Sequence, residues 1–485
     1  FFSGNISGFP TDALLTNNLG LGNTNNDALE SGKEENTLLS YLGRVNYNLF
    51  DKFLFTASIR ADGSSRFGTN NKWGYFPSFA LGWKMEEEDF VPDAFNQLKL
   101  RASWGQTGNQ EIGNYASQLT FGTGPSVVLG GTILGSAVPS RIANPDLKWE
   151  TTEQFNIGID FGLLGGRFSG TLDYFSKNSK DLLFNLPLPR ASGYNSVLTN
   201  VGEVKNSGFE VLLSSTNISS EDFSWKTTLN FSAIKNKVVD LGRVESIVTG
   251  NIQSVGNTAI IREGNPLASY YGYVVTGIFQ EGDDIANSAQ PTAQPGFPQF
   301  KDINGDGAIT PLDQTILGSP FPDFTYGIQN SISYKDFQLD FFFQGVVGAD
   351  LININLIESI YPANFRRNRI AETITDRWTP QNTNARWPSS VNPNAYDAGK
   401  VNTLTVQDAS YLRLKNVQLS YNVPVDNINF LNALRVYVTG QNLFTVTDYI
   451  GFDPEANSLG RSNVKVDYSS YPLARTYLLG LTANF

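Results

Sequence analysis

The chain has 485 residues with 35 basic and 46 acidic side chains, and its net charge of -11 without a Lys/Arg cluster makes a nucleic-acid partner unexpected. It contains no cysteine and no histidine, which excludes disulfides, thiolate metal sites, histidine-based acid–base catalysis and Ser-His-Asp triads. These absences weaken the enzyme hypothesis, and no catalytic residue is predicted.

Aromatic residues are frequent for a soluble protein, at 13%, whereas charged residues make up only 17%. No segment approaches the ~18 consecutive apolar residues of a transmembrane helix. The opening stretch, FFSGNISGFP, has neither an initiator methionine nor the charged and apolar parts of a signal peptide. We therefore expect the chain to begin inside a longer protein.

The hydrophobic pattern has a period of two almost everywhere, which predicts β-strands rather than helices. In FLFTASIRADG, for example, Phe53, Phe55 and Ile59 alternate with residues that include Thr56 and Ser58. Such segments run about ten residues, longer than the ~5–6 of soluble sheets and long enough to cross a bilayer when tilted. The predicted strands lie near residues 38–48, 53–63, 74–84, 98–105, 155–161, 168–178, 206–216, 223–233, 325–334, 337–345, 411–421, 434–441 and 476–485.

Short turns such as LLGGR (163–167) alternate with long loops rich in Gly, Asn, Pro and Ser, at about 106–152, 235–324 and 345–410. This asymmetry is typical of outer-membrane barrels, which have tight periplasmic turns and long extracellular loops. The alternative is a soluble β-sandwich. The faces opposite the aromatic side chains carry Asp, Arg, Lys and Gln, which suit a watery lumen better than a second packed sheet. We therefore predict an all-β transmembrane antiparallel barrel.

The stretch DINGDGAITPLD (302–313), within the second long loop, has the spacing of a calcium loop. Its oxygen ligands recur at alternating positions and are followed by a glycine at the sharp turn; Asp313 stands where a glutamate usually binds. The alternative is an Asx-rich turn without metal. We predict a structural Ca²⁺ site rather than a sensor, because no helices flank the loop. The predicted ligands are Asp302, Asn304, Asp306, the backbone carbonyl of Ala308, and Asp313.

The roles of two other groups of residues in the sequence stay open. The aromatic stretches YYGYVVTGIF (270–279), DRWTP (376–380) and ARWPSS (385–390) could stack on sugars, anchor a partner or fill the loops' own cores. The polar stretches RADGSSRFG (60–68) and NQEIGNY (109–115) could contact substrate, although a solvated rim is the favoured interpretation. No substrate-binding residue is assigned.

The final stretch, TYLLGLTANF (476–485), alternates up to its terminal aromatic residue, as expected of a strand that closes a bacterial barrel by pairing with the first strand. Together with it, several stretches resemble the SusC/RagA-like family of TonB-dependent outer-membrane transporters of Bacteroidetes. They include LKLRASWGQTGNQEIGNY (98–115), NPDLKWETTEQFNIGIDFGLLGGRFSGTLDYFSKNSKDLLF (144–184), NVGEVKNSGFEVLL (200–213), residues 38–90 and 300–345, and ASYLRLKNVQLSYNVP with RVYVTGQNLFTVTDYIGFDPEAN.

The resemblance implies the C-terminal part, roughly 13–15 strands, of a barrel of about 22 strands whose plug is not in this chain. A remaining N-terminal barrel and plug segment would then complete the wall and contact TonB. A SusD-like surface lipoprotein would cover the extracellular loops, and outer-membrane lipid would surround the barrel.

The function implied is active import of a large nutrient, an oligosaccharide or a peptide. Two alternatives remain: a SusC-like scaffold subunit of a larger outer-membrane assembly or secretion machine, and a soluble calcium-stabilised β adhesin.

Overall fold

The structure is a computed structural model that describes residues 2–5, 28–31, 34–123, 127–130, 132–134, 137–252, 255–360, 368–389, 400–425, 430–458 and 464–485. One antiparallel sheet of thirteen strands dominates it, and each strand pairs with its neighbours in chain order. The prediction of an all-β antiparallel fold is therefore confirmed.

The strands of this sheet, which we call the wall, are between 9 and 18 residues long. They are β1 (Leu38–Leu49), β2 (Phe53–Ser64), β3 (Trp73–Lys84), β4 (Phe95–Asn109), β5 (Glu150–Leu163), β6 (Phe168–Lys180), β7 (Glu203–Ser219), β8 (Phe223–Asp240), β9 (Phe324–Tyr334), β10 (Phe337–Val347), β11 (Tyr411–Val423), β12 (Ala433–Thr447) and β13 (Thr476–Asn484).

Connections of two kinds leave opposite ends of the wall. Tight turns such as 50–52, 164–167 and 335–336 join strands at one end. At the other end, which we call the loop end, the longest connections are 110–149, 241–323 and 348–410, close to the predicted loops. Two further loops there, 181–202 and 448–475, were not among the predicted long loops.

The register of the wall separates an apolar face from a polar face. Directly paired positions share a face, so Val45, Ala57, Phe79, Trp104 and Phe155 form one apolar row across five strands. Many side chains of this face are exposed, including Phe79 at 54%, which is unusual for a soluble monomer and is expected of a surface that contacts lipid. The neighbouring inner row is polar: Arg44, Ser58, Ser78, Gly105 and Gln154.

The two outermost strands each have one open edge within the described residues. β1 pairs only with β2, and β13 pairs only with β12. Nearly all residues of both strands are exposed. Open edges leave backbone donors and acceptors unsatisfied, which lipid cannot compensate, so these are the positions where further wall strands would pair.

Shorter elements lie outside the wall. No helix of the described residues is long and apolar enough to cross a membrane. Within the described residues the helices are α1 (Ile354–Ile360) and α2 (Glu372–Thr375), with 3-10 turns at Met85–Glu87, Arg190–Ser192, Ile285–Asn287 and Pro311–Asp313. The short strands are Phe2–Asn5, Ala28–Ser31, Thr120–Thr123, Val127–Leu129, Thr132–Leu134, Ala137–Arg141, Leu183–Pro187, Ser196–Asn200, Ser246–Thr249, Ala259–Arg262, Ser269–Gly272, Val275–Ile278, Pro298–Phe300, Thr315–Gly318, Asp350–Asn353, Val406–Asp408 and Val466–Asp467.

The largest hydrophobic core lies in the loops rather than in the wall. It joins residues of the 241–323, 348–410 and 448–475 loops, and we call it the loop core. A parallel pairing of Ile352 with Val466 links two of these loops directly. The loops therefore form a packed unit at one end of the wall. Its buried members include Ala259, Tyr270, Phe279, Phe297, Ile352, Ile354, Leu356, Ile357, Trp387, Val401, Val406, Val464 and Val466.

Candidate ligand-binding surface and metal loop

The aromatic residues of these stretches are mostly buried within the loops, and Tyr270, Phe279 and Trp387 belong to the loop core. Tyr270, Tyr273 and Phe279 are 0%, 3% and 2% exposed, and Trp378 and Trp387 are 6% and 1% exposed. Tyr270 donates its hydroxyl to the backbone carbonyl of Lys465 at 2.8 Å, so its polar atom is satisfied within the core. Of the interpretations left open by the sequence, packing within the loops is the one that describes these five residues.

The two polar stretches at the loop end come together in the fold. Arg66 Nε donates to Asn114 Oδ1 at 3.0 Å, and Arg66 Nη1 donates to the carbonyl of Gln110 at 3.1 Å. Nearby, Arg60 Nε donates to both carboxylate oxygens of Asp62, at 2.9 and 2.7 Å. The stretches around 60–68 and 109–115 thus form one continuous rim beside the polar face of the wall.

A charged cluster lies on the polar face, on strands β4 to β6. Arg101 binds Asp160 through Nε and Nη2, with an Nη2–Oδ1 distance of 2.8 Å, and reaches Asp173 Oδ2 at 3.0 Å. Gly158 is paired with both Arg101 and Asp173, and a Cβ there would lie 2.1 Å from Asp173 Oδ1. The glycine therefore opens the path by which the arginine crosses from β4 to β6.

The calcium-type loop, residues 302–313, brings three of its predicted ligands together. Carboxylate oxygens of Asp302, Asp306 and Asp313 lie within 4.8 Å of one another. Asp302 accepts from the backbone N–H groups of Gly305 at 2.7 Å and Gly307 at 2.9 Å. Both glycines have positive φ, at 74° and 82°, so the tight turn depends on residues without a Cβ.

The other two predicted ligands lie in the same turn. Asn304 Oδ1 accepts from the backbone N–H of Asp306 at 2.9 Å, and Asn304 Nδ2 donates to Asp306 Oδ2 at 2.8 Å. Ala308 donates its N–H to Asp306 Oδ1 at 2.9 Å. These contacts fix the loop's shape while leaving further lone pairs on each oxygen, since a carboxylate offers about four acceptor sites.

Asp313 is the buried anchor of the loop, at 0% exposed. Its Oδ2 accepts from the Thr310 N–H at 2.8 Å, and its Oδ1 accepts from the Ile303 N–H at 2.8 Å. The Thr310 N–H, with those of Ile303 and Asn304, lowers the pKa of the Asp313 carboxyl, against the opposing effect of burial. Thr310 and Asp313 also form a capping box on the Pro311–Asp313 turn. The Asp313 carboxylate therefore closes the loop by accepting hydrogen bonds from the loop's backbone N–H groups.

A buried ionic cluster that sequence reasoning missed ties the 448–475 loop to the wall. Arg413, on β11, is 1% exposed and faces the polar side, in the row of Gln344 and Thr445. Its Nη2 donates to Asp453 Oδ1 at 2.7 Å, its Nη1 donates to Glu455, and its Nε donates to Thr445 Oγ1 at 2.8 Å. The only signal in the sequence was a pair of charged residues in YLRLKN and another in FDPEAN.

A second buried network fixes the same loop against the loop core. Tyr449 donates its hydroxyl to Asp467 Oδ2 at 2.7 Å, and Asn355 Nδ2 donates to Asp467 Oδ1 at 3.2 Å. Burial, with the Asp467 carboxylate beside it, raises the pKa of the Tyr449 phenol. The phenol therefore stays protonated at neutral pH and remains a hydrogen-bond donor.

A family profile described as "TonB dependent receptor-like, beta-barrel" matches residues 5–443. The chain belongs to the TonB-dependent receptor family. Proteins of this family are integral to the outer membrane and are transport proteins rather than enzymes. The predicted location and the predicted lack of catalysis are therefore confirmed for this TonB-dependent receptor chain.

Similar proteins agree with this assignment. The TonB-dependent receptor P3 of Formosa agariphila is 39% identical over 466 residues, 93% of this chain and 46% of P3. The TonB-dependent receptor SusC of Bacteroides thetaiotaomicron is 32% identical over 477 residues, 93% of this chain and 44% of SusC. The chain thus spans about half the length of the curated relatives it matches.

Solved structures give the same result. The RagAB peptide importer in its open-open state matches with a TM-score of 0.80 at 27% identity, over 99% of this chain and 50% of that chain. The closed-closed state matches with a TM-score of 0.79 over 98% of this chain. The predicted resemblance of this TonB-dependent receptor chain to the SusC/RagA-like group is confirmed.

Proposed function

We propose that this chain forms part of the barrel of a SusC-like importer, which takes up an oligosaccharide or a peptide with energy delivered through TonB. The single observation that carries the proposal is the two-faced wall: an exposed apolar face suited to lipid and a polar face suited to a watery lumen. Similarity to SusC and to the RagAB peptide importer supports the same function.

A SusD-like surface lipoprotein is the proposed partner at the loop end. The loop core supports this proposal because it makes the outer loops a packed platform on which a second protein can dock. RagAB is a peptide transporter, whereas the name of the relative SusC states no substrate. The relatives alone therefore leave the substrate class open.

The test is uptake by bacteria that carry or lack the gene for the full-length protein. We expect the deletion strain to lose accumulation of at least one labelled oligosaccharide or peptide, and complementation to restore it. A protonophore should abolish uptake, because TonB-driven import needs the proton gradient. Unchanged uptake in the deletion strain, together with stable complexes containing proteins unlike SusD, would favour the scaffold function instead.

We also propose that residues 302–313 bind Ca²⁺ as a structural clamp within the outer loops. The three carboxylates within 4.8 Å of one another support this, since hard oxygen ligands grouped around a glycine turn suit a 6–8-coordinate calcium ion. The role is structural because the loop leads into the short strand Thr315–Gly318 and then into β9, with no helix pair to be moved.

Chelation should therefore destabilise the loops of the wild-type protein. At free Ca²⁺ about 100-fold above Kd, binding adds about 2.7 kcal/mol to the stability of the bound form. EGTA should remove this stabilisation, and hydrogen–deuterium exchange across residues 298–318 should rise. An Asp302→Ala/Asp306→Ala variant should show the fast exchange with and without Ca²⁺. If EGTA changes neither exchange nor melting of the wild-type protein, the clamp is wrong.

A further inference from the structure

The apolar face of the wall carries a hollow of about 360 Å³ on strands β5 to β8, close to the tight turns. We call that end of the wall the turn end. Phe161 lies six positions from Phe155 on β5, so both side chains belong to the apolar face. Direct pairing continues the row of Phe161 through Gly170 to Leu213 and Leu229. The hollow therefore opens toward lipid and not toward the lumen.

The next row toward the turn end has small polar side chains, and the wall itself satisfies them. Ser215 Oγ donates to Asn217 Oδ1 at 2.8 Å, and Thr227 Oγ1 donates to Asn330 Oδ1 at 2.7 Å. A sugar or a peptide backbone placed here would leave many of its own polar groups unpaired, which is costly. A hydrocarbon chain has no polar group to satisfy, so it suits this hollow.

A second apolar hollow, of about 340 Å³, lies farther from the turn end on the same face, and its lining includes Leu172 and Tyr174 of β6. From Phe168 in the first hollow to Tyr174 in the second, the strand advances six residues, or ~20 Å at ~3.4 Å per residue. Barrel strands are tilted by ~35–45°, so this distance corresponds to ~15 Å along the membrane normal. That is half of the ~30 Å hydrocarbon core, so the two hollows together match one leaflet.

A third hollow, of about 490 Å³, lies at the turn end between the β5–β6 turn and the end of β7. Arg167 is fixed there, because its Nε donates to the Thr216 carbonyl at 3.1 Å and its Nη2 donates to the Asn217 carbonyl at 2.8 Å. Its guanidinium carbon is 5.9 Å from the centre of the Phe168 ring, which lines the first hollow. Arg167 is exposed and forms no ion pair with any residue that the structure describes, so its charge and its Nη1 N–H groups can bind an anion.

We propose that these three hollows form a binding site for one anionic phospholipid of the periplasmic leaflet. Its phosphate binds Arg167, and an acyl chain lies along the two apolar hollows. Tight turns of outer-membrane barrels face the periplasm, so the head group of that leaflet lies at the height of Arg167. A zwitterionic head group carries its own cation beside the phosphate and gains less from the arginine. The charge of Arg167 therefore selects an anionic lipid.

The test counts the lipids bound to the purified, delipidated full-length protein by native mass spectrometry. The probes are palmitoyl-oleoyl phosphatidylglycerol, phosphatidylcholine with the same chains, and glycerophosphoglycerol, which is the head group without chains. Arg167→Gln removes the charge, and Leu229→Trp fills the first apolar hollow.

Each variant has a matched control outside the three hollows. Lys335→Gln removes another exposed cation that lies over an aromatic ring, at the tight turn 335–336. Leu419→Trp makes the same change of size on the apolar face of β11, where Leu419 is 47% exposed.

We expect the wild-type protein to bind one phosphatidylglycerol about fivefold more tightly than phosphatidylcholine, which is the usual contribution of one basic side chain near anionic lipid. Arg167→Gln should abolish this preference, Leu229→Trp should weaken the binding of both lipids, and both controls should bind as the wild type does. Glycerophosphoglycerol should bind far more weakly, because it lacks the chains. Retention of no lipid, equal affinity for the two lipids, an unchanged preference in Arg167→Gln, or equal effects of Leu229→Trp and Leu419→Trp would each overturn the proposal.

Discussion

Replacing Arg413 with methionine is expected to release the 448–475 loop from the wall. The substitution preserves much of the side-chain volume but leaves Asp453, which is 3% exposed, without its cation. Removing one partner of a buried ion pair costs about 3–5 kcal/mol, because the remaining charge stays desolvated and unpaired. Hydrogen–deuterium exchange in residues 448–458 and 464–475 should therefore rise by about 100- to 4,000-fold.

Two further variants separate this explanation from general damage to β11. Lys415→Met removes a partly exposed contact to Glu455, 3.4 Å long, and should cost less than about 1 kcal/mol. Adding Asp453→Asn to Arg413→Met neutralises the orphaned charge, so part of the lost protection should return. If Arg413→Met and Lys415→Met exchange alike, the buried cluster does not hold the loop.

The wall was predictable because a pleated strand between lipid and water must alternate its side chains. Predicted segments such as 53–63 and 337–345 correspond to β2 and β10 almost residue for residue. The strand ends were less accurate: β5 was expected near 155–161 and spans Glu150–Leu163. Beyond the bilayer both faces of a strand can contact water. The alternation of apolar and polar side chains therefore ends there, although the hydrogen-bonded pairing of the strands continues.

The loop core and the ionic cluster were not predictable in this way. Ile352 pairs with Val466, and Arg413 binds Asp453, across separations that leave no periodic pattern in the sequence. The loop 302–313 was easier to predict because its expected metal ligands lie close together in the sequence.

Replacing Gly272 with alanine is expected to disrupt the loop core from within. A Cβ there would lie 2.2 Å from the carbonyl oxygen and 2.7 Å from the carbonyl carbon of Val401, so backbone rather than a flexible side chain must move. The same backbone accepts from the Tyr273 N–H at 2.9 Å, and the Tyr273 carbonyl accepts from the Thr403 N–H at 3.1 Å. Overpacking of this kind costs about 1–3 kcal/mol, and we expect the upper end because two hydrogen bonds are strained together.

Gly277→Ala is the matched control on the neighbouring strand Val275–Ile278. Its Cβ would find only Gln299 Oε1 nearby, at an ordinary 3.7 Å, and its φ is not in the left-handed region. Alanine has less backbone freedom than glycine in the unfolded chain. The free energy of unfolding of Gly277→Ala should therefore stay unchanged or rise by about 0.5–1 kcal/mol. Exchange across residues 269–279 and 400–406 should thus rise in Gly272→Ala and stay level or fall in Gly277→Ala. Equal exchange in both variants would show that the packing of segment 400–406 on Gly272 does not hold the outer loops.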